Sequence, residues 1–208
     1  MFQIGDQQAS AFGCGCTVNN HTKATLGTGL FIDTFMDRDI IGEIDGDGYP
    51  VIAWYPHGAT PSYLYESRCD DANLHLKKAI KDANLSNIND LEIMADKFIG
   101  FDSANNTKTT GIALLNGTIF KLDGGYSSSD YLAKGISSIT NIKVVRMNDI
   151  ESTSKGACFL ARIGAGIPSS SYELQQLFDD GRVFNPDPKL RSELLALYES
   201  ESSKQCPI

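Results

Sequence analysis

Apolar and polar residues change rhythm along this chain. In the first third they alternate or gather in short β-branched runs, and farther on apolar positions recur every three or four residues. The first rhythm belongs to half-buried strands, the second to helices with one buried face. Residues 2–4 predict the end of a short strand, and residues 9–12 a helix that loses regularity at Gly13-Cys14-Gly15. Residues 23–26 and 30–35 predict two strands joined into a hairpin by Gly27-Thr28-Gly29. Residues 51–55 and 62–65 predict a second hairpin around Pro56-His57-Gly58, with Trp54, Tyr55, Tyr63 and Tyr65 as its packing residues. Asp45-Gly46-Asp47-Gly48 resembles half of a calcium loop, but no glutamate follows at the twelfth position, so it reads as a turn.

Leu74, Ala79 and Ile80 fall at helical spacing, with Lys77, Lys78 and Lys81 on the wet side. A short helix is expected over 89–98, a polar loop over 102–110, and short strands over 112–115 and 119–122. A helix over 130–139 and a strand over 142–145 follow. Residues 155–163 form a helix of small side chains suited to close packing on a sheet. Helices over 172–178 and 189–200 come next, and the tail from 199 to 208 is expected to fray. Strands first and helix–strand alternation later predict an α/β fold, a mixed sheet with helices on its faces.

Composition narrows the partners. The 208 residues carry a net charge of -8 and no basic patch, which argues against nucleic acid and anionic membranes. No apolar run approaches the roughly 20 residues of a membrane-spanning helix. Cys14, Cys16, Cys69, Cys158 and Cys206, with His21, His57 and His75, form no metal-ligand spacing. An odd cysteine count and a start without a positively charged leader predict reduced thiols in a cytoplasmic protein.

Three segments carry candidate chemistry. Asp6 follows an expected strand end and precedes a helix, where a carboxylate can accept a hydroxyl proton and Gln7 can orient substrate. An aspartate there also serves as a plain helix cap, the reading the motif alone favours. Gly27-Thr28-Gly29 can hold a phosphate on backbone N–H groups and the Thr28 hydroxyl, or be an ordinary hairpin turn. Asp123-Gly124-Gly125 follows a strand and opens toward a helix, a geometry shared by phosphate sites and simple connecting turns.

Read together, these segments resemble the second domain of glycerol kinase and its FGGY carbohydrate-kinase relatives. Gly5-Asp6-Gln7-Gln8-Ala9-Ser10-Ala11-Phe12-Gly13 is similar to that family's G-D-Q-Q-A-A-L-F-G. Lys23-Ala24-Thr25-Leu26-Gly27-Thr28-Gly29 resembles its K-N-T-Y-G-T-G, and Leu122-Asp123-Gly124-Gly125 its V-D-G-G. Gly156-Ala157-Cys158-Phe159-Leu160-Ala161 resembles G-A-A-Y-L-A, and Phe184-Asn185-Pro186 a closing F-x-P. The Gly48-Tyr49-Pro50 stretch leans toward a divergent animal branch of the family.

The resemblance implies an actin-like, ribonuclease H-like fold. It implies ATP and Mg²⁺ as cofactors and phosphoryl transfer to a polyol or sugar hydroxyl. Carried over residue by residue, it implies Asp6 as catalytic base, Asp6 and Gln7 at the substrate, and Gly27, Thr28 and Gly29 at the phosphates. Gly117, Gly124, Gly125 and Ser129 would face the nucleotide. A homodimer is compatible with it. Ser129 stands where the family has asparagine, and the family's G-L-x-A-P-x-W-D segment is reduced to Thr110-Gly111-Ile112-Ala113-Leu114-Leu115. The implied organisation is a single C-terminal kinase domain over 1–208, shortened within about 99–120, without the domain that precedes it in the family. The alternative is a catalytically degenerate relative acting as a nucleotide- or partner-binding module.

Overall fold

The computed structural model describes residues 3–19, 21–37, 48–55, 60–82, 84, 86, 119–167 and 181–204. The expected turn over 45–47, the hairpin tip over 56–59, the elements over 89–98, 102–110, 112–115 and 172–178, and Gly117 lie outside the described residues. In chain order the elements are α1 (Asp6–Gly13), β1 (Thr22–Leu26), β2 (Leu30–Asp37), β3 (Tyr49–Trp54), β4 (Ser62–Cys69) and α2 (Ala72–Asp82). There follow β5 (Phe120–Asp123), a 3₁₀ turn (Gly125–Ser128), α3 (Asp130–Thr140), β6 (Val144–Arg146), α4 (Ser152–Gly164), β7 (Arg182–Phe184) and α5 (Pro188–Lys204).

The described strands form one seven-stranded sheet in the order β3-β4-β2-β1-β5-β6-β7. Both expected hairpins are present, with β1 antiparallel to β2 and β3 antiparallel to β4. The centre is parallel, β1 beside β5 and β5 beside β6, and β7 closes the far edge antiparallel to β6. The sheet is therefore mixed, as the change of rhythm in the sequence predicts.

Helices cover both faces. On one, Ala24, Phe120, Leu122, Ala133, Val144 and Phe184 form a core between the central strands and α3. Fully burying a side chain such as Leu122 or Val144 stabilises by about 1.5–3 kcal/mol. On the other face, α1 contributes Ala11 to a core with Phe35, Leu64 and Met147. Trp54 ties α1 to the sheet edge, stacked on Phe35 at 5.1 Å and edge-on to Phe12 at 5.4 Å.

Several expectations change. Residues 3–5 form no strand; Gly5 is extended, with φ -76° and ψ 160°, and leads straight into α1. Helix α4, expected against the sheet, packs on α1. A Cβ on Gly156 would lie 1.8 Å from the Ala9 carbonyl oxygen, and one on Gly13 would lie 1.9 Å from that of Ser152. Leu74 is exposed, because Leu76 and Ile80, four residues apart, set the buried face of α2. Helix α5 runs to Lys204, since no glycine or proline interrupts its last turns. Strand β7 is too short to show a period; Phe184 is buried while Val183 and Arg182 are exposed.

Candidate active site

Strands β1 and β5 run side by side in parallel, so the glycine turns that follow them leave from the same edge of the sheet. The turns touch: a Cβ on Gly124 would lie 2.6 Å from the Leu26 carbonyl oxygen. Gly124 has φ +85°, a conformation open to glycine at little cost. In open α/β sheets, ligands bind beyond such carboxyl ends of strands.

A buried polar network draws α1 to this edge. Asp123, the last residue of β5, is 1 % exposed. Its Oδ2 accepts the Ser10 hydroxyl of α1 at 2.6 Å, and its Oδ1 accepts the Thr25 hydroxyl of β1 at 2.6 Å. Lys23, fully buried, donates from Nζ to Thr25 Oγ1 at 2.7 Å and to Gln7 Oε1. The same ammonium lies 2.8 Å from Asp33 Oδ2. Neither Asp33 oxygen makes a well-aligned hydrogen bond, so charge holds that pair together.

The strand registers align this chemistry in a row. Tyr49, Glu66, Asp33, Lys23 and Lys121 face one another across β3, β4, β2, β1 and β5. The Tyr49 hydroxyl donates to Glu66 Oε1 at 2.5 Å, and Lys121 Nζ donates to the Cys14 carbonyl oxygen. Burial is the main cause pushing the Asp33 carboxyl up to about 6; neighbouring Glu66 also raises it, and the Lys23 ammonium opposes the rise. Burial likewise pushes the Cys16 thiol up to about 12 and raises Cys14, which makes both inert core thiols.

The sequence-predicted site residues fall as follows. Asp6 is the first residue of α1, with an exposed side chain whose Oδ1 accepts the Gln7 amide at 2.8 Å. It thus holds one free amide of the helix start, while the N-cap position belongs to Gly5. Gln7 is held by Lys23. Thr28 is exposed, and the Gly27 amide donates within the turn to the Gly29 carbonyl at 3.0 Å. A Cβ on Gly27 or Gly125 would meet nothing within 4 Å, leaving open space beside both turns. Ser129 is fully buried and caps α3, its hydroxyl accepting the Leu132 amide at 3.3 Å.

Sequence reading missed Ser10, Lys23, Thr25 and Asp33. For Lys23, Thr25 and Asp33 the signal was present as polar side chains alternating with apolar ones in β1 and β2; Ser10 lies in α1 and had no such signal. Alternation alone assigns such residues to a wet face; here α1 covers that face. Among the described residues, no group of three or more His, Cys, Asp or Glu side chains is placed to hold a metal ion. No helix among them is long and apolar enough to cross a membrane.

No family model matches the chain. A glycerol kinase of Coxiella burnetii (strain RSA 493 / Nine Mile phase I) is 30% identical over 241 residues, spanning 92% of this chain and 48% of that protein. The fold matches Plasmodium falciparum glycerol kinase, solved with ADP, at a TM-score of 0.75 and 19% identity over 99% of this chain and 51% of that one. The chain belongs to the FGGY kinase family. A second member, ligand-bound xylulose kinase from Lactobacillus acidophilus, matches the fold at a TM-score of 0.69 and 17% identity, over 95% of this chain and 49% of that one. The sheet and its flanking helices are accordingly the actin-like ATPase fold of FGGY kinases. The FGGY-family chain spans about half the length of the curated relatives it matches.

Proposed function

We propose that this chain is the nucleotide-facing part of an ATP-dependent phosphotransferase acting on glycerol or a related polyol or sugar hydroxyl. One observation carries the reading: the Ser10–Asp123–Thr25 network brings the helix start bearing Asp6 to the edge from which both glycine turns leave. Kinship with glycerol and carbohydrate kinases supports the reaction class.

Asp6 takes the proton of the attacking hydroxyl, a role that its exposed carboxylate suits. Gln7, fixed by Lys23, orients the substrate beside it. Thr28 and the Gly27–Gly29 turn hold the terminal phosphates. Gly124 and Gly125 let the nucleotide approach the backbone, and Ser129 acts by fixing the start of α3. The open space at Gly27 and Gly125 fits such a ligand. Mg-ATP, when bound, supplies the transferable phosphoryl group and neutralises its charge. Asp123 is withdrawn from the metal, being buried with both oxygens turned to the hydroxyls of Ser10 and Thr25. The phosphates themselves would hold it.

The test is phosphoryl transfer to glycerol by a protein that also includes the preceding half of the family's length. Asp6→Asn should lower turnover by about 10²- to 10⁴-fold, the usual share of a general base. Undiminished turnover would remove Asp6 from this role. Calorimetry on the present chain adds a second arm: Mg-ATP binding is expected, and its absence would end the nucleotide-facing reading.

A further inference from the structure

We propose that Lys23, anchored by Asp33, is the positioning residue that sets both the Asp6 helix start and the two glycine turns, a role that rests on the kinase reading above. An ammonium has three N–H groups to place. Here two of them meet Gln7 Oε1 and Thr25 Oγ1, the latter at 2.7 Å, and the charge lies 2.8 Å from the Asp33 carboxylate, with both charged side chains fully buried.

Each contact leads somewhere different. Through Gln7 the ammonium fixes the first turn of α1, where the Gln7 amide in turn holds Asp6 Oδ1. Through Thr25 it reaches the strand end that opens into Gly27-Thr28-Gly29. Thr25 in turn donates its hydroxyl hydrogen bond to Asp123, the residue before Gly124-Gly125. Through Asp33 it is held from β2, at the middle of the sheet. One cation thus stands at the branch point between the acid and both phosphate-facing turns.

Stability alone does not account for the pair. Replacing a buried ion pair by apolar residues of similar volume is often neutral or stabilising, because desolvation cancels much of the attraction. A buried charge with one defined geometry contributes placement: it orders Gln7 and Thr25 in one arrangement, which an apolar pair would leave free.

The test compares the wild-type chain with the paired variant Lys23→Met/Asp33→Leu, which removes both charges together, and with Gln7→Leu, which removes one acceptor and leaves the pair intact. Amide hydrogen exchange reads placement without any ligand. Both variants should exchange about tenfold faster over residues 7–11 while α3 and β5 keep wild-type protection, since losing one hydrogen bond frees a local opening. The paired variant should also bind Mg-ATP about tenfold more weakly. Wild-type exchange over 7–11 in either variant overturns the proposal. So does acceleration spread evenly over α1, α3 and β5, the mark of a merely structural pair. A wild-type chain that binds no Mg-ATP sinks the kinase reading, while the exchange comparison still decides whether Lys23 positions α1. Should the paired variant fail to fold, exchange in Gln7→Leu decides the same question alone.

Discussion

The Ser10 hydroxyl and the Asp123 carboxylate, 113 positions apart in the chain, meet at 2.6 Å in the protein interior. That bond joins the first helix to the last residue of a central strand. Asp123 is ionisable yet buried, and hydroxyls of Ser10 and Thr25 together satisfy its two oxygens. Thr25→Val keeps the shape and removes one donor from a buried carboxylate. The expected cost is about 1.5–3 kcal/mol, the range for hydrogen bonds to charged groups. Ser10→Ala should cost a similar amount. Urea unfolding checks both, and a loss below about 0.5 kcal/mol for each would show that Asp123 does not depend on these hydroxyls.

Helices α1 and α4 approach closely enough that only glycine fits at two crossing points. In Gly156→Ala, the new methyl would lie 1.8 Å from the Ala9 carbonyl oxygen and 2.8 Å from the Gly13 amide nitrogen. Both are backbone atoms, so relief requires the helices to part. Overpacking of this kind costs about 1–3 kcal/mol, and a clash with backbone puts the change at or above the upper end. A fall in thermal midpoint is expected, with weaker Mg-ATP binding because α1 carries Asp6. Unchanged stability would mean that the helices do not cross at this distance.

How far the sequence reveals this molecule differs from part to part. Both hairpins were legible because Gly27-Thr28-Gly29 and the alternation around it are local signals. The glycine turns were legible for the same reason. Resemblance to the family marked Asp6 and Thr28, which alternation could not single out. The network beneath them was not legible. Lys23 reads as a wet lysine until α1 is known to lie over it, and that packing depends on contacts between distant residues. Likewise Gly156 reads as part of a helix of small residues near a sheet. That its partner is α1 follows from the crossing of two helices far apart in sequence. Leu74 was misplaced because three apolar positions fit helical spacing in more than one way.

The two glycines of Asp123-Gly124-Gly125 should respond differently to alanine. Gly124 has φ +85°, and its Cβ would meet the Leu26 carbonyl at 2.6 Å. Gly124→Ala should therefore destabilise by at least about 1–3 kcal/mol, the cost of holding alanine in a backbone region essentially reserved for glycine, before the clash is added. Gly125→Ala meets nothing within 4 Å and should leave stability within about 0.5 kcal/mol of wild type. It should nonetheless weaken Mg-ATP binding, because the methyl enters the open space beside the turn. Calorimetry with and without the nucleotide separates the two effects. Gly125→Ala with wild-type affinity would place the nucleotide elsewhere.

The buried row also makes stability depend on pH. Asp33 is fully buried, and its carboxyl rises from the ordinary 3.8 to about 6. Burial is the largest cause, Lys23 pulls it back, and Glu66, itself held by the Tyr49 hydroxyl, pushes it up. The folded chain therefore holds this proton more tightly than the unfolded chain. The stability contributed by Asp33 is complete below about 3.8 and is lost as pH rises through about 6. At 1.36 kcal/mol per unit, the amplitude is about 3 kcal/mol. Other carboxylates titrate in the same range, so the informative quantity is the difference in unfolding free energy between wild type and Asp33→Asn. Loss of the contact between Asp33 and Lys23 adds a constant offset. The difference should shift against the wild type by about 2 kcal/mol between pH 4 and pH 7.5. A difference that stays flat over that interval would mean that Asp33 keeps an ordinary carboxylate affinity and that the Lys23 ammonium fully offsets its burial.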